Sequence, residues 1–185
     1  MEIQKTPLEG LVILEPKVFE DGRGYFLETF HQERYREAGI AADFVQDNES
    51  RSGRGVIRGL HYQLHPFSQG KLVRVVEGCV FDVAVDLRRQ SPTFGKWYGV
   101  ELSGMNKKQL YIPPGFAHGF SVLGEFAVFS YKCDRYYRPE KERGILYNDP
   151  DLGIDWRIPE AEAIVSGKDR KNGLFREADL NFDML

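Results

Sequence analysis

Cysteine is scarce in this chain of 185 residues: only Cys79 and Cys133 occur. Two cysteines are too few for a disulfide framework, and their spacing is not that of a metal knuckle. Both fall in strand-like runs, away from any recognisable electropositive turn, so they read as reduced packing residues rather than nucleophiles. No charge sign dominates: 25 Lys and Arg face 28 Asp and Glu, a formal net charge of −3. The basic residues are scattered, which argues against nucleic-acid and anionic-membrane partners and still leaves room for a local phosphate pocket. No apolar run approaches the ~20 residues of a membrane helix. The opening MEIQKTPLEG lacks the apolar stretch of a secretory signal, so a cytoplasmic protein is expected. Repeats, low-complexity tracts and linkers are also missing, which predicts one domain over residues 1–185.

What is present is short apolar alternation broken by Gly, Pro and Asp. Leu11–Leu14 and Tyr25–Phe30 read as strands, the second following the turn Asp21-Gly22-Arg23-Gly24. His31–Ala38 reads as a short helix ended by Gly39. Phe44–Asn48 and Gly55–Gln63 are expected to be extended. Lys71–Val76 and Cys79–Leu87 flank an expected turn at Glu77-Gly78. Phe94–Leu102 alternates, and Leu110–Ile112 runs into Pro113-Pro114-Gly115. Phe116–Leu123 and Phe126–Asp134 flank a further expected break at Gly124. About nine or ten such strands predict an all-β fold, a cupin-type jelly-roll barrel with short peripheral helices. From Pro139 the chain is loop-rich, with one helix expected near Arg170–Ala178.

A small barrel can hold a ligand on its inward face. Function is therefore sought among polar residues that share a face with apolar ones. Alternation groups His61 with Ile57, Gly59 and Gln63, and Lys71 with Val73 and Val75. It groups His118 with Phe116, Phe120 and Val122, and Tyr131 with Ala127, Phe129 and Cys133. Each of these four alone has an ordinary structural explanation: a satisfied core histidine, a bonded tyrosine, a lysine reaching out to water. Together they predict one shared cavity.

Many cupins hold a metal through two histidines one residue apart, a carboxylate and a third histidine. Here the paired position reads His61-Tyr62-Gln63. The second imidazole is missing, so no metal or other cofactor is expected, because such sites need three or four converging N, O or S ligands. Without a metal, His61 and Tyr131 are natural acid–base partners, and Lys71 can stabilise negative charge on oxygen. A base and an acid on opposite sides of one carbon invert it, provided an adjacent carbonyl acidifies its proton.

Several motifs follow one another in order: Arg23-Gly24-Tyr25-Phe26-Leu27-Glu28, Gln46-Asp47-Asn48, Arg58-Gly59-Leu60-His61-Tyr62-Gln63 and Pro113-Pro114-Gly115-Phe116-Ala117-His118-Gly119-Phe120. Then come Tyr131-Lys132-Cys133-Asp134-Arg135-Tyr136-Tyr137, Glu142-Arg143-Gly144-Ile145, Asn148-Asp149-Pro150 and Ser166-Gly167-Lys168-Asp169. The ordered set resembles the dTDP-4-dehydrorhamnose 3,5-epimerases over nearly the whole chain. The resemblance implies epimerisation at C3 and C5 of a dTDP-4-keto-6-deoxy-hexose. His61 would be the base, Asp169 its orienting carboxylate, Tyr131 the acid on the opposite face and Lys71 the partner of the enolate oxygen. Arg58 would hold the diphosphate, and Gln46, Asp47, Asn48, His118, Glu142 and Lys168 match further substrate-contact positions. Arg23 and Glu28 match residues that reach the nucleotide from a second subunit, in a homodimer with exchanged N-terminal strands. From composition alone Arg23, Glu142, Lys168 and Asp169 read as plain surface. An epimerase acting at one carbon, a ketoisomerase of related sugars, a metal-dependent cupin and a non-catalytic binding module are the competing readings.

One spacing conflicts with simple alternation. Arg58 and His61 are three apart, so a regular strand sends them to opposite faces. Both are wanted in one site, which predicts a β-bulge at Gly59.

Overall fold

The computed structural model describes residues 1–182. Strands β1 (Glu2–Lys5) and β2 (Val12–Glu15) precede a hairpin of β3 (Val18–Asp21) and β4 (Gly24–Leu27), then helix α1 (Gln32–Glu37). There follow β5 (Gln46–Gly53), β6 (Val56–Gln63), β7 (Lys71–Asp86), β8 (Trp97–Ser103), β9 (Gln109–Ile112) and β10 (Phe116–Cys133). Two short strands, β11 (Glu142–Gly144) and β12 (Ile164–Val165), complete the set. One hydrogen-bonded sheet runs β1-β2-β9-β7-β10-β6-β11, with β8 on β7, β5 on β10 and β12 on β6; among the described residues β3 and β4 pair only with each other. The architecture is the all-β, cupin-type jelly roll that the alternation predicts. Among the described residues no helix is long and apolar enough to cross a membrane.

Period-two patterning divides the long strands between two apolar layers. One face of β7 and β10 supplies Val73, Val75, Val80, Ala84, Phe116, Phe120, Val122 and Phe129 to the barrel core, with Leu102 and Leu110. The other face, with Phe81, Val83, Val85 and Ala117, packs under the C-terminal segment through Ile145, Tyr147, Leu152, Trp156 and Phe182. Each Val, Leu, Ile or Phe side chain among them contributes roughly 1.5–3 kcal/mol on burial.

Three expectations are corrected. Glu77-Gly78 and Gly124 are not turns: β7 and β10 each run through them as one continuous strand, and they pair antiparallel almost end to end. The register slips between Val122 and Ala127, so the break signals in the sequence mark a bulge. Gly78 sits at φ +83°, where a Cβ would collide with the Phe126 carbonyl. The helix expected near Arg170–Ala178 is instead two 3₁₀ turns, Asp169–Lys171 and Phe175–Glu177, in a segment fixed by burial rather than by helix periodicity. The expected helix over His31–Ala38 is present as α1, with Gly39 at φ +86° after it.

The connection from β7 to β8 is pinned by Asp86. Its fully buried carboxylate takes bonds from Arg88 Nε at 2.9 Å, Arg88 Nη2 at 2.8 Å, Ser91 Oγ at 2.6 Å and Thr93 Oγ1 at 2.7 Å.

Candidate active site

The expected bulge is present in β6. Against β10, His118 pairs with His61 but Phe120 pairs with Arg58, so two steps on one strand oppose three on the other. Gly59 is the additional residue, at φ +129° and so close to β10 that a Cβ would stand 2.6 Å from Gly119 Cα. Only glycine meets both demands. The offset corrects the simple alternation. Ile57 packs outward in the C-terminal layer, while Arg58 and His61 line the same cavity.

That cavity, about 150 Å³, is lined by Arg58, His61, Lys71, His118 and Tyr131, with Phe120 and Phe129 among its apolar walls. The two phenylalanine rings stack with centroids 4.3 Å apart. A second, outer cavity of about 420 Å³ shares Arg58 and His61 and adds Lys168, Asp169 and Ile164. The two cavities meet at Arg58 and His61; the larger, the antechamber, carries the cations Arg58 and Lys168 beside Asp169 on a largely apolar wall.

His61 Nε2 stands 2.7 Å from Asp169 Oδ1. The imidazole keeps 30% of its accessible area and the carboxylate only 6%, so the ring is reachable while its partner is shielded. Burial works to raise the Asp169 pKa; the hydrogen bond and charge of His61 outweigh it and hold the carboxyl below its ordinary value. With Asp169 as acceptor at Nε2, the ring nitrogen left to exchange a proton with a ligand is Nδ1. His118 repeats the device: its Nε2 lies 2.9 Å and 3.1 Å from the two oxygens of the fully buried Asp82. Burial lowers the Lys71 pKa, against the nearby charges of Cys133, Asp82 and Glu142, which makes its ammonium a stronger acid than a free lysine. Burial raises the Tyr131 pKa, so its phenol stays protonated and able to donate. Arg58 Nε donates to Ser52 Oγ at 2.9 Å, which leaves the rest of the guanidinium fork uncommitted by that bond. Gln63, at the second cupin ligand position, is engaged at both ends: Nε2 donates to the Phe67 carbonyl at 2.7 Å and Oε1 accepts from Arg138 N at 2.6 Å. Among the described residues no three His, Cys, Asp or Glu are grouped to hold a metal ion.

The sequence profile of dTDP-4-dehydrorhamnose 3,5-epimerase matches residues 5–177. The chain belongs to that family. It is 54% identical over 180 residues to the dTDP-4-dehydrorhamnose 3,5-epimerase of Shigella flexneri, covering 97% of this chain and 98% of the relative. The crystal structure of the Elizabethkingia anophelis enzyme superposes with a TM-score of 0.92 at 55% identity, covering 96% of this chain and 97% of that one. The dTDP-6-deoxy-D-glucose-3,5-epimerase of Legionella pneumophila, crystallised with dTDP-4-keto-L-rhamnose, gives 0.92 at 54% identity over 96% and 94%.

Within this epimerase fold the remaining expected residues fall into two groups. Gln46, Asn48, Glu142 and Lys168 form a hydrogen-bonded row with Tyr137. Gln46 Nε2 donates to Asn48 Oδ1 at 3.0 Å, Tyr137 N to Gln46 Oε1 at 3.0 Å, and the Tyr137 hydroxyl to Glu142 at 3.0 Å; Glu142 also pairs with Lys168. Asp47 points away, paired with Lys132 at 2.9 Å, which is where alternation between Gln46 and Asn48 sends it. Arg23 and Glu28 line neither of these two cavities. Arg23 is exposed at the hairpin tip against Asp21 at 2.6 Å, and Glu28 pairs with Arg34 at 2.7 Å. Ser50 and Asp82 escape the sequence reading. Asp82 had a signal, a lone carboxylate inside the apolar run Val80–Val85; Ser50 had none.

Proposed function

We propose that this chain inverts C3 and C5 of dTDP-4-keto-6-deoxy-D-glucose to give dTDP-4-keto-L-rhamnose, by removing and returning protons beside the C4 ketone. The observation that carries the reading is the convergence of a carboxylate-braced imidazole, a protonated phenol and a lysine ammonium on one small cavity. His61 Nδ1 accepts the proton from C5, the electron pair moves into the C4 carbonyl, and Lys71 stabilises the resulting enolate oxygen. Tyr131 returns a proton to the opposite face, and the same exchange at C3 completes the reaction. Arg58 and Lys168, in the antechamber, hold the diphosphate. No step needs a metal.

The enzyme works as a homodimer in which each β3–β4 hairpin crosses to the other subunit, bringing Arg23 and Glu28 to the partner's nucleotide. The hairpin's isolation supports this. Among the described residues it pairs with no other strand, and it exposes Phe19, Tyr25 and Phe26. Such a patch on an unpaired arm marks a binding surface.

The test is deuterium incorporation, followed by NMR on chelator-treated protein supplied with dTDP-4-keto-6-deoxy-D-glucose in D₂O. Label enters at both C3 and C5 with the wild type and at neither with H61N; Y131F slows epimer formation by roughly 10²–10⁴-fold. Label at one carbon only means a single-site epimerase. Activity lost to the chelator and restored by a divalent metal means a metal cupin.

A further inference from the structure

The polar row that ends on Lys168, in the wall of the antechamber, shows something the reaction scheme does not require. Lys168, one of the two cations of the antechamber, is committed to Glu142 of its own chain. The pair is lopsided: the Lys168 side chain keeps 66% of its area and Glu142 only 18%. So exposed a lysine can swing to a ligand without uncovering buried surface, while the shielded carboxylate stays in place. Glu142 is provided for in either position. The Tyr137 hydroxyl donates to the same Oε2 at 3.0 Å, and Tyr137 is itself tied to β5 through Gln46. The carboxylate would therefore stay hydrogen-bonded after the ammonium leaves. Burial works to raise the Glu142 pKa, but bonds from Lys168 and Tyr137 and the charge of His61 outweigh it, so the group is an anion in the free protein.

We propose that Glu142 is a displaceable stand-in for the substrate's diphosphate: it occupies Lys168 while the site is empty and gives it up when a nucleoside diphosphate arrives. Binding is then an exchange of anions on one lysine. A diphosphate wins because its several oxygens engage Arg58 as well as Lys168, whereas Glu142 has only one carboxylate to offer. The displaced carboxylate remains beside the phosphates and repels them, which weakens the hold on substrate and product alike. This deepens the proposed function and rests on its placing the diphosphate in the antechamber.

Calorimetric titration of the intact protein with dTDP tests it, in the wild type, E142Q, K168M and the double variant, with a melting curve for each. E142Q tightens dTDP binding roughly fivefold, the scale of a half-exposed ion pair no longer broken. KM for epimerisation falls in step. In the K168M background the same substitution changes the dissociation constant by less than twofold, which a general effect on folding would not reproduce. Should E142Q fail to fold, E142D, whose carboxylate is withdrawn by one methylene, shifts affinity in the same direction by less. Weaker or unchanged binding in E142Q overturns the stand-in, as does equal tightening in both backgrounds. A wild type that binds no dTDP overturns the proposed function with it; a wild type that binds dTDP while E142Q binds it less well removes the stand-in alone.

Discussion

Lys71 shows at the scale of one residue how the site strains against the fold. Folding lowers its pKa, so the charged form is destabilised relative to the unfolded chain. That penalty applies wherever the unfolded lysine is protonated and disappears as pH rises past its unfolded value near 10.5. K71M removes the penalty and fills the same volume with an apolar chain. It should raise the melting temperature by about 2–4 °C, near 1 kcal/mol, while abolishing epimerisation. A K71M protein that melts below the wild type would show that Asp82 and Glu142 more than compensate the lysine. His61, Lys71, His118 and Tyr131 were legible in the sequence because a polar side chain among apolar neighbours breaks a pattern. Glu142, Lys168 and Asp169 were not legible that way: a charged residue in a polar segment breaks nothing, and only the ordered family motifs single them out.

Among the elements, β6 and the β7–β8 connection each turn on one residue. G59A forces a side chain onto a backbone at φ +129° and against Gly119 Cα. Thermal or denaturant unfolding should show a loss of about 2 kcal/mol or more, with activity falling further than stability because Arg58 and His61 lose their common wall. Asp86 predicts a pH effect. Burial works to raise its pKa, the bonds from Arg88, Ser91 and Thr93 prevail, and the carboxyl ends below its ordinary 3.8. A depressed folded-state value gives stability that is fully present above the unfolded pKa and lost as pH falls through the folded one. D86N should therefore cost about 3 kcal/mol near neutrality, and its stability should decline less steeply than the wild type's below about pH 4. Strand existence and the peripheral helix were readable from periodicity. The continuity of β7 and β10 was not, because Gly78 and Gly124 signal a turn and a bulge in the same letters; only the facing strand distinguishes them. The bulge in β6 was readable for a different reason: two residues wanted on one side stood an odd number apart.

For the whole molecule, the proposed exchange of hairpins makes a prediction that neither subunit alone can meet. R23A and H61N each lack one part of the site, on opposite sides of the subunit boundary. Mixed under conditions that reassort subunits, they form heterodimers in which one of two sites is intact. Activity should recover to about a quarter of wild type, since half the dimers in a random mixture are mixed and each has one working site. Recovery no greater than the sum of the two parents would mean that Arg23 serves its own chain or none.

The bulge at Gly59 also bears on how such a site can arise or be moved. A substitution changes what a position carries but not the side on which it stands; that parity is altered only by adding or removing a residue. In β6 one additional residue reverses the sense of everything beyond it, so Ile57 faces one way and His61 the other. A regular strand reaches this arrangement only by taking one residue more than its partner, whether inserted or drawn in from a neighbouring loop, and a change of side chain alone does not supply it. Anyone grafting the constellation onto another barrel must transplant the miscount along with the side chains.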